Sequence, residues 1–236
     1  MKEQFADIEM LRYRLKGFEK LSLSQKLYIY YLSKAALAGR DITFNQHCKV
    51  NLAVRRLLEN VWLSYKGDWY SEDFKAFEVY LKRVWFSNGI HHHYGMEKFA
   101  PGFSREWLET VIPSLPSKPS AELLDVIFNP DILRKRVSKE DGVDLIKASA
   151  CGFYENVTQQ EVEGYYGEMS RVYTQHRNGD KCEKPSFGLN STLVKSPTGE
   201  IKEEVWCIDN GGRYARELSQ VCDYLNQAKE YAENDK

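Results

Sequence analysis

Apolar residues recur every three or four positions through most of this chain, and after Lys184 that period breaks. Such a period gathers apolar side chains on one face of a helix, so residues 1–184 are expected to be helices that each bury one stripe. Beyond Lys184 two strand-like runs, Phe187 to Val194 and Ile201 to Ile208, flank Ser196-Pro197-Thr198-Gly199-Glu200. That turn chemistry predicts a β-hairpin. Helical spacing resumes from Tyr214 to Glu233, with Leu218, Val221, Leu225 and Ala228 in line. The expected fold is α+β and predominantly α-helical: a mainly helical part over 1–184, then a hairpin and C-terminal helix over 185–236 belonging to the same unit.

Within the helical part, Ile8, Leu11, Leu15 and Phe18 predict a first helix from Phe5 to Phe18. Serine caps around Ser22 and Ser24 precede a helix from Gln25 to Ala38 that stops at Gly39. A loop is expected over Arg40 to Cys48. Val54, Leu57, Leu58 and Val61 mark a helix from Asn51 to Tyr65. Ser71-Glu72-Asp73 supplies a cap and first-turn acids for the next, whose stripe is Phe74, Phe77, Leu81, Val84 and Trp85 and whose end is Asn88-Gly89. Pro101, Pro113, Pro116 and Pro119 leave room for one short helix after Ser104. Leu123 to Ala150 reads as short helical pieces broken by Pro130 and Gly142. Thr158-Gln159-Gln160-Glu161 resembles a capping box opening a helix to about Gln175.

Charge narrows the partners. Lys plus Arg number 33 against 34 Asp plus Glu, so a formal charge of -1 gives no reason to expect nucleic acid or an anionic membrane surface. Cys48, Cys151, Cys182, Cys207 and Cys222 are scattered and odd in number, which suggests neither a zinc knuckle nor a disulfide framework and fits a reducing compartment. The charged start Met1-Lys2-Glu3 has no apolar core like that of a secretory signal, and no apolar run approaches membrane-spanning length. A soluble, cytoplasmic protein is expected.

The densest concentration of chemistry is Ser87-Asn88-Gly89-Ile90-His91-His92-His93-Tyr94-Gly95. Consecutive histidines on a helix point about 100° apart and cannot share a metal, whereas in an extended segment His91 and His93 would face one side. Further ligands would have to come from elsewhere, and neither His47 nor His176 stands at a metal spacing. None of the five histidines is followed by Glu, so the H-E-x-x-H zinc motif is absent. So are the G-x-S-x-G elbow and the glycine-rich phosphate loops. Taken alone, Asn88-Gly89 reads as a helix end and His91 to Tyr94 as a semi-exposed connection.

A family resemblance gives that connection a role. Asp73-Phe74-Lys75-Ala76-Phe77-Glu78-Val79-Tyr80, then Phe86-Ser87-Asn88-Gly89 and Lys98-Phe99-Ala100-Pro101, resemble dipeptidyl peptidase III, most closely its bacterial members. Phe5-Ala6-Asp7-Ile8, Gly152-Phe153-Tyr154-Glu155-Asn156-Val157-Thr158 and Phe187-Gly188-Leu189-Asn190-Ser191 extend the likeness along the chain. The resemblance implies part of a two-lobed zinc exopeptidase that releases dipeptides from the amino terminus of short peptides. This chain would be the non-zinc, substrate-cleft lobe, its hairpin part of a small β-barrel. Asn88, His91, His92, His93, Tyr94, Lys98 and Phe99 would border the cleft, with Tyr94 facing bound peptide. The family's zinc motif, H-E-x-x-G-H with a downstream E-E-x-x-A-[DE], is missing, and Glu203-Glu204-Val205-Trp206-Cys207 fails the second pattern. No catalytic residue, metal ligand or cofactor is therefore expected in this chain; zinc would belong to the other lobe, and the partners would be short peptides and that lobe. The alternatives are a stand-alone peptide-binding or interaction module, or a nonfunctional remnant.

Overall fold

The computed structural model describes residues 3–176, 188 and 190–234. It is α+β and mainly helical. In chain order it runs β1 (Glu3–Phe5), β2 (Ile8–Met10), α1 (Leu23–Ala38), α2 (Arg40–His47), α3 (Asn51–Ser64), α4 (Glu72–Ser87), α5 (Arg105–Val111), α6 (Ala121–Phe128), β3 (Tyr154–Glu155), α7 (Gln159–His176), β4 (Ser191–Lys195), β5 (Ile201–Val205) and α8 (Ala215–Lys229). No helix among the described residues is long and apolar enough to cross a membrane.

The expected first helix is a hairpin instead. β1 and β2 pair antiparallel with Phe5 opposite Ile8, around a turn in which Ala6 takes φ 49. The turn wins because Phe5 and Ile8 then both become buried, while Asp7 at its tip reaches Arg83 of α4 at 2.9 Å. The apolar residues after Met10 satisfy two periods at once: Leu11 and Leu15 fit a helix, but Leu11, Tyr13 and Leu15 also alternate with Arg12, Arg14 and Lys16. The expected loop over Arg40 to Cys48 contains helix α2, anchored by buried Phe44 and by Asp41, which accepts from Arg55 at 2.8 Å. Residues 129–150 carry no helix beyond α6, and their turns replace the helical pieces expected there.

Elsewhere local chemistry builds what it signals. Ser22 and Gln25 form a reciprocal capping box on α1, Ser71 caps α4, Ser104 caps α5, and Thr158 with Glu161 closes the start of α7. The main core lies between α3, α4, α5 and α6, where Val54, Leu58, Val61, Phe77, Val84, Leu108 and Ile127 are fully enclosed. Trp62, Tyr65, Phe74 and Trp107 continue it as packed rings, Tyr65 and Phe74 stacking at 4.5 Å.

The hairpin after Lys184 joins the helical part directly. β4 and β5 pair antiparallel from Ser191 opposite Val205 to Lys195 opposite Ile201, and β3 adds to β4 in parallel. No sheet closes into a barrel among the described residues. Phe187 and Leu189, expected in the first strand, lie outside the described residues. α8 lays its stripe along α1, with Tyr31 and Tyr231 stacked at 5.7 Å. Parallel strand addition at one end and helix packing at the other thus fasten residues 190–234 to the rest.

One backbone ladder positions the loop after α4. Phe99 N–H donates to Ile90, His92 N–H to Glu97, Lys98 N–H to Arg134 and Arg136 N–H to Met96. Ala150 and Cys151 donate to Arg136, Gly152 donates to Gln46, and Leu193 of β4 donates to Phe153. Residues 90–99 are thereby hydrogen-bonded, segment by segment, into the three-stranded sheet.

Candidate functional site

The loop begins where α4 stops. Asn88 takes the left-handed conformation (φ 53) and Gly89 follows at φ 147, turning the chain back over the start of α3. Asn51, fully buried, holds that turn: its amide N donates to Phe44 O at 3.0 Å and Asn88 O at 3.3 Å, and its amide O accepts from Ile90 N–H at 3.2 Å. A Cβ on Gly89 would stand 1.9 Å from that amide nitrogen, so only glycine lets the loop approach.

The three histidines differ in state and neighbours. His91 is buried; its Nε2–H donates to Leu133 O at 2.7 Å while its Nδ1 has no partner. Burial pushes its pKa down to about 4, with the Lys98 and Arg136 charges adding to the effect, so the ring is neutral. His92 accepts at Nδ1 from the backbone N–H of Tyr94 (3.2 Å) and Gly95 (3.0 Å), which leaves Nε2–H to donate to Asp7 at 3.3 Å. The β1–β2 turn therefore closes on the loop. His93 stacks on His92 with ring centroids 4.5 Å apart and meets the edge of Phe86 at 5.0 Å; its Nδ1 is buried without a partner.

Tyr94 continues this row of rings at 4.5 Å from His93 and is 83% exposed. Lys98 turns away from the rings. Its ammonium donates to the Val126, Asn129 and Ile132 carbonyls and holds the C-terminal end of α6; burial lowers its pKa. Phe99 is buried beneath the Arg83 guanidinium, which lies 5.1 Å from its centroid. Of the seven residues expected at a cleft, His92, His93 and Tyr94 form one surface row, Asn88 the turn behind it, and His91, Lys98 and Phe99 its foundation. Lys98 and Phe99 also border a groove of about 420 Å³, with Pro101, Phe128, Asp131 and Arg134 on its other walls. A larger groove, about 520 Å³, runs along α3 beside Ser117 to Ser120 and includes no histidine.

Sequence reasoning missed Asp7, Asn51 and Arg136. Asn51 opens the expected helix, and as the first residue of α3 it spends its side chain on other segments. Arg136 places Nη1 3.3 Å and 3.4 Å from the two ring nitrogens of His47, and its Nε donates to Met96 Sδ. A guanidinium only donates, so the imidazole beside it is neutral; burial and the Arg136 charge both lower the His47 pKa. The adjoining Cys48 is fully buried, which raises its thiol pKa to about 11. The signal for Asp7 was its place in a Phe-Ala-Asp-Ile string with apolar ends, which fits a turn as well as a helix.

No group of three His, Cys, Asp or Glu side chains converges on a common point among the described residues. Of the loop's imidazoles, His92 has both ring nitrogens bonded, His91 donates Nε2–H to Leu133, and the Nδ1 atoms of His91 and His93 are buried without a partner among the described residues. Neither a family model nor a curated protein matches the chain.

Proposed function

We propose that this chain is the non-zinc, substrate-cleft lobe of a dipeptidyl peptidase III-like zinc exopeptidase and that it positions a short peptide without carrying out its hydrolysis. What supports the reading is the His92–His93–Tyr94 row, a set of stacked rings on a loop fixed from beneath by Asn51, His91 and Lys98. Exposed aromatic faces on a rigid base offer apolar contact at little cost in conformational entropy. In a complete enzyme the zinc would activate water and polarise the scissile carbonyl. The contribution of this lobe is register: the peptide lies against the Tyr94 row while the opposing lobe closes on it.

The test is a titration of the isotope-labelled chain with an unblocked tetrapeptide. Resonances of His92, His93 and Tyr94 should move, and Tyr94→Ala should weaken binding about three- to tenfold, the worth of one aromatic contact. No shift at about millimolar peptide overturns the reading. With dipeptidyl-naphthylamide and zinc the chain should show no turnover; zinc-dependent turnover by these 236 residues alone overturns the division of labour. Peptide binding that persists while a zinc-bearing lobe fails to restore activity assigns the chain to a stand-alone peptide-binding module.

A further inference from the structure

Among the described residues β2 pairs with β1 as far as Met10, opposite Glu3. The chain nevertheless continues from Leu11 to Leu15 without helix or turn, and residues 11–16 are all exposed. Leu11, Tyr13 and Leu15 stand 51%, 81% and 73% exposed. Among the described residues, the one backbone hydrogen bond of this segment to another part of the backbone is Phe18 N–H to Leu15 O. Side chains two apart in an extended segment share a face, so Leu11, Tyr13 and Leu15 lie on one side and Arg12 and Arg14 on the other, with Lys16 following in the turn to Phe18. None of the three cations forms an ion pair among the described residues; Glu3, which feels the Arg12 charge, is already held by Lys82 at 2.9 Å.

A strand whose continuation is unpaired among the described residues, with apolar and basic side chains alternating along it, is a template for strand addition. We infer that Leu11–Lys16 docks an extended segment of another polypeptide in which acidic residues alternate with apolar ones, continuing the β1–β2 hairpin. Each Glu or Asp of the guest would face Arg12 or Arg14, and each apolar residue would cover Leu11, Tyr13 or Leu15. A second copy of this chain is the wrong guest, because antiparallel pairing with the apolar faces matched sets basic residues opposite basic residues, which is unfavourable. A flat anionic bilayer is also wrong, since apolar and basic side chains leave the segment on opposite sides. This surface is distinct from the Tyr94 row, and the inference does not depend on the peptidase reading.

The experiment titrates the 236-residue chain with a short peptide alternating Glu and Val. Saturable binding is expected, with the amides of Arg12 to Lys16 newly protected from hydrogen exchange. A double variant, Arg12→Glu with Arg14→Glu, should weaken that peptide about tenfold and gain affinity for one alternating Lys and Val, which a folding defect would not produce. Three results overturn the inference: no saturation at about millimolar peptide, equal binding of a variant peptide whose central Val is Pro, or capture by phosphatidylserine-containing vesicles with no protection by the peptide.

Discussion

Gly89→Ala tests whether the loop is held from beneath. The added methyl would lie 1.9 Å from Asn51 Nδ2 and 2.5 Å from its Cγ, at a backbone φ of 147 that side-chain-bearing residues rarely adopt. Asn51 is fully enclosed, so its amide has no solvent-filled space to rotate into, and moving it breaks its bonds to Asn88 O and Ile90 N–H. Backbone strain of about 1–3 kcal/mol and two buried hydrogen bonds at about 1 kcal/mol each sum to roughly 3–5 kcal/mol. Against a typical stability of about 5–15 kcal/mol this should lower Tm by roughly 6–20 °C. Thermal and urea unfolding followed by circular dichroism measure it. Asn51→Ala supplies the control: in the double variant the methyl gains room, so its cost should shrink by more than about 1 kcal/mol. A Gly89→Ala protein within about 0.5 kcal/mol of the parent, or strictly additive losses in the double variant, would refute the reasoning.

Three further outcomes follow from the same contacts. His91 binds a proton near pH 6.5 when unfolded and near pH 4 when folded, so its neutral state adds stability that is fully present above about 6.5 and lost as pH falls towards 4. The parent should lose about 3 kcal/mol more than His91→Gln across that window in urea unfolding, and parallel pH profiles would reject the assignment. Lys98→Met removes the donor shared by the Val126, Asn129 and Ile132 carbonyls and should cost about 2–3 kcal/mol, with faster hydrogen exchange confined first to the end of α6. Tyr94→Ala, at an exposed ring that meets His93 and His92, should leave Tm within about 1 °C while weakening peptide binding; a large loss of stability would make Tyr94 structural.

How legible this was in the sequence depended on whether one period alone fitted. α3 and α4 have long stripes with no competing pattern, and their observed bounds follow the spacing closely. The hairpin turn at Ser196 to Glu200 was equally plain, because Pro197 and Gly199 leave few alternatives. The first twenty residues were ambiguous, since Leu11 and Leu15 satisfy both helix and strand periods and the decision came from burying Phe5 and Ile8 far along the chain. Helix α2 carries too few apolar positions to show a period, and it forms because Phe44 enters the core. At the site, Asn88 to Tyr94 stand out by residue type alone, but the roles of His91 and Lys98 depend on carbonyls some 30 to 40 residues away. No local pattern encodes a partner at that separation.

Asn51 joins the end of α2, the turn after α4 and the start of the loop through a single enclosed amide. The segment that carries His91 to Tyr94 therefore belongs to the same cooperative unfolding unit as α3 and α4, even though it has the irregular backbone of a connection. Its amides near Ile90 should exchange with solvent only at the rate of global opening, far slower than those of other surface loops. Any motion that opens or closes a cleft here must accordingly be a rigid-body displacement of this whole unit, with its hinge elsewhere, and not a flexing of the loop.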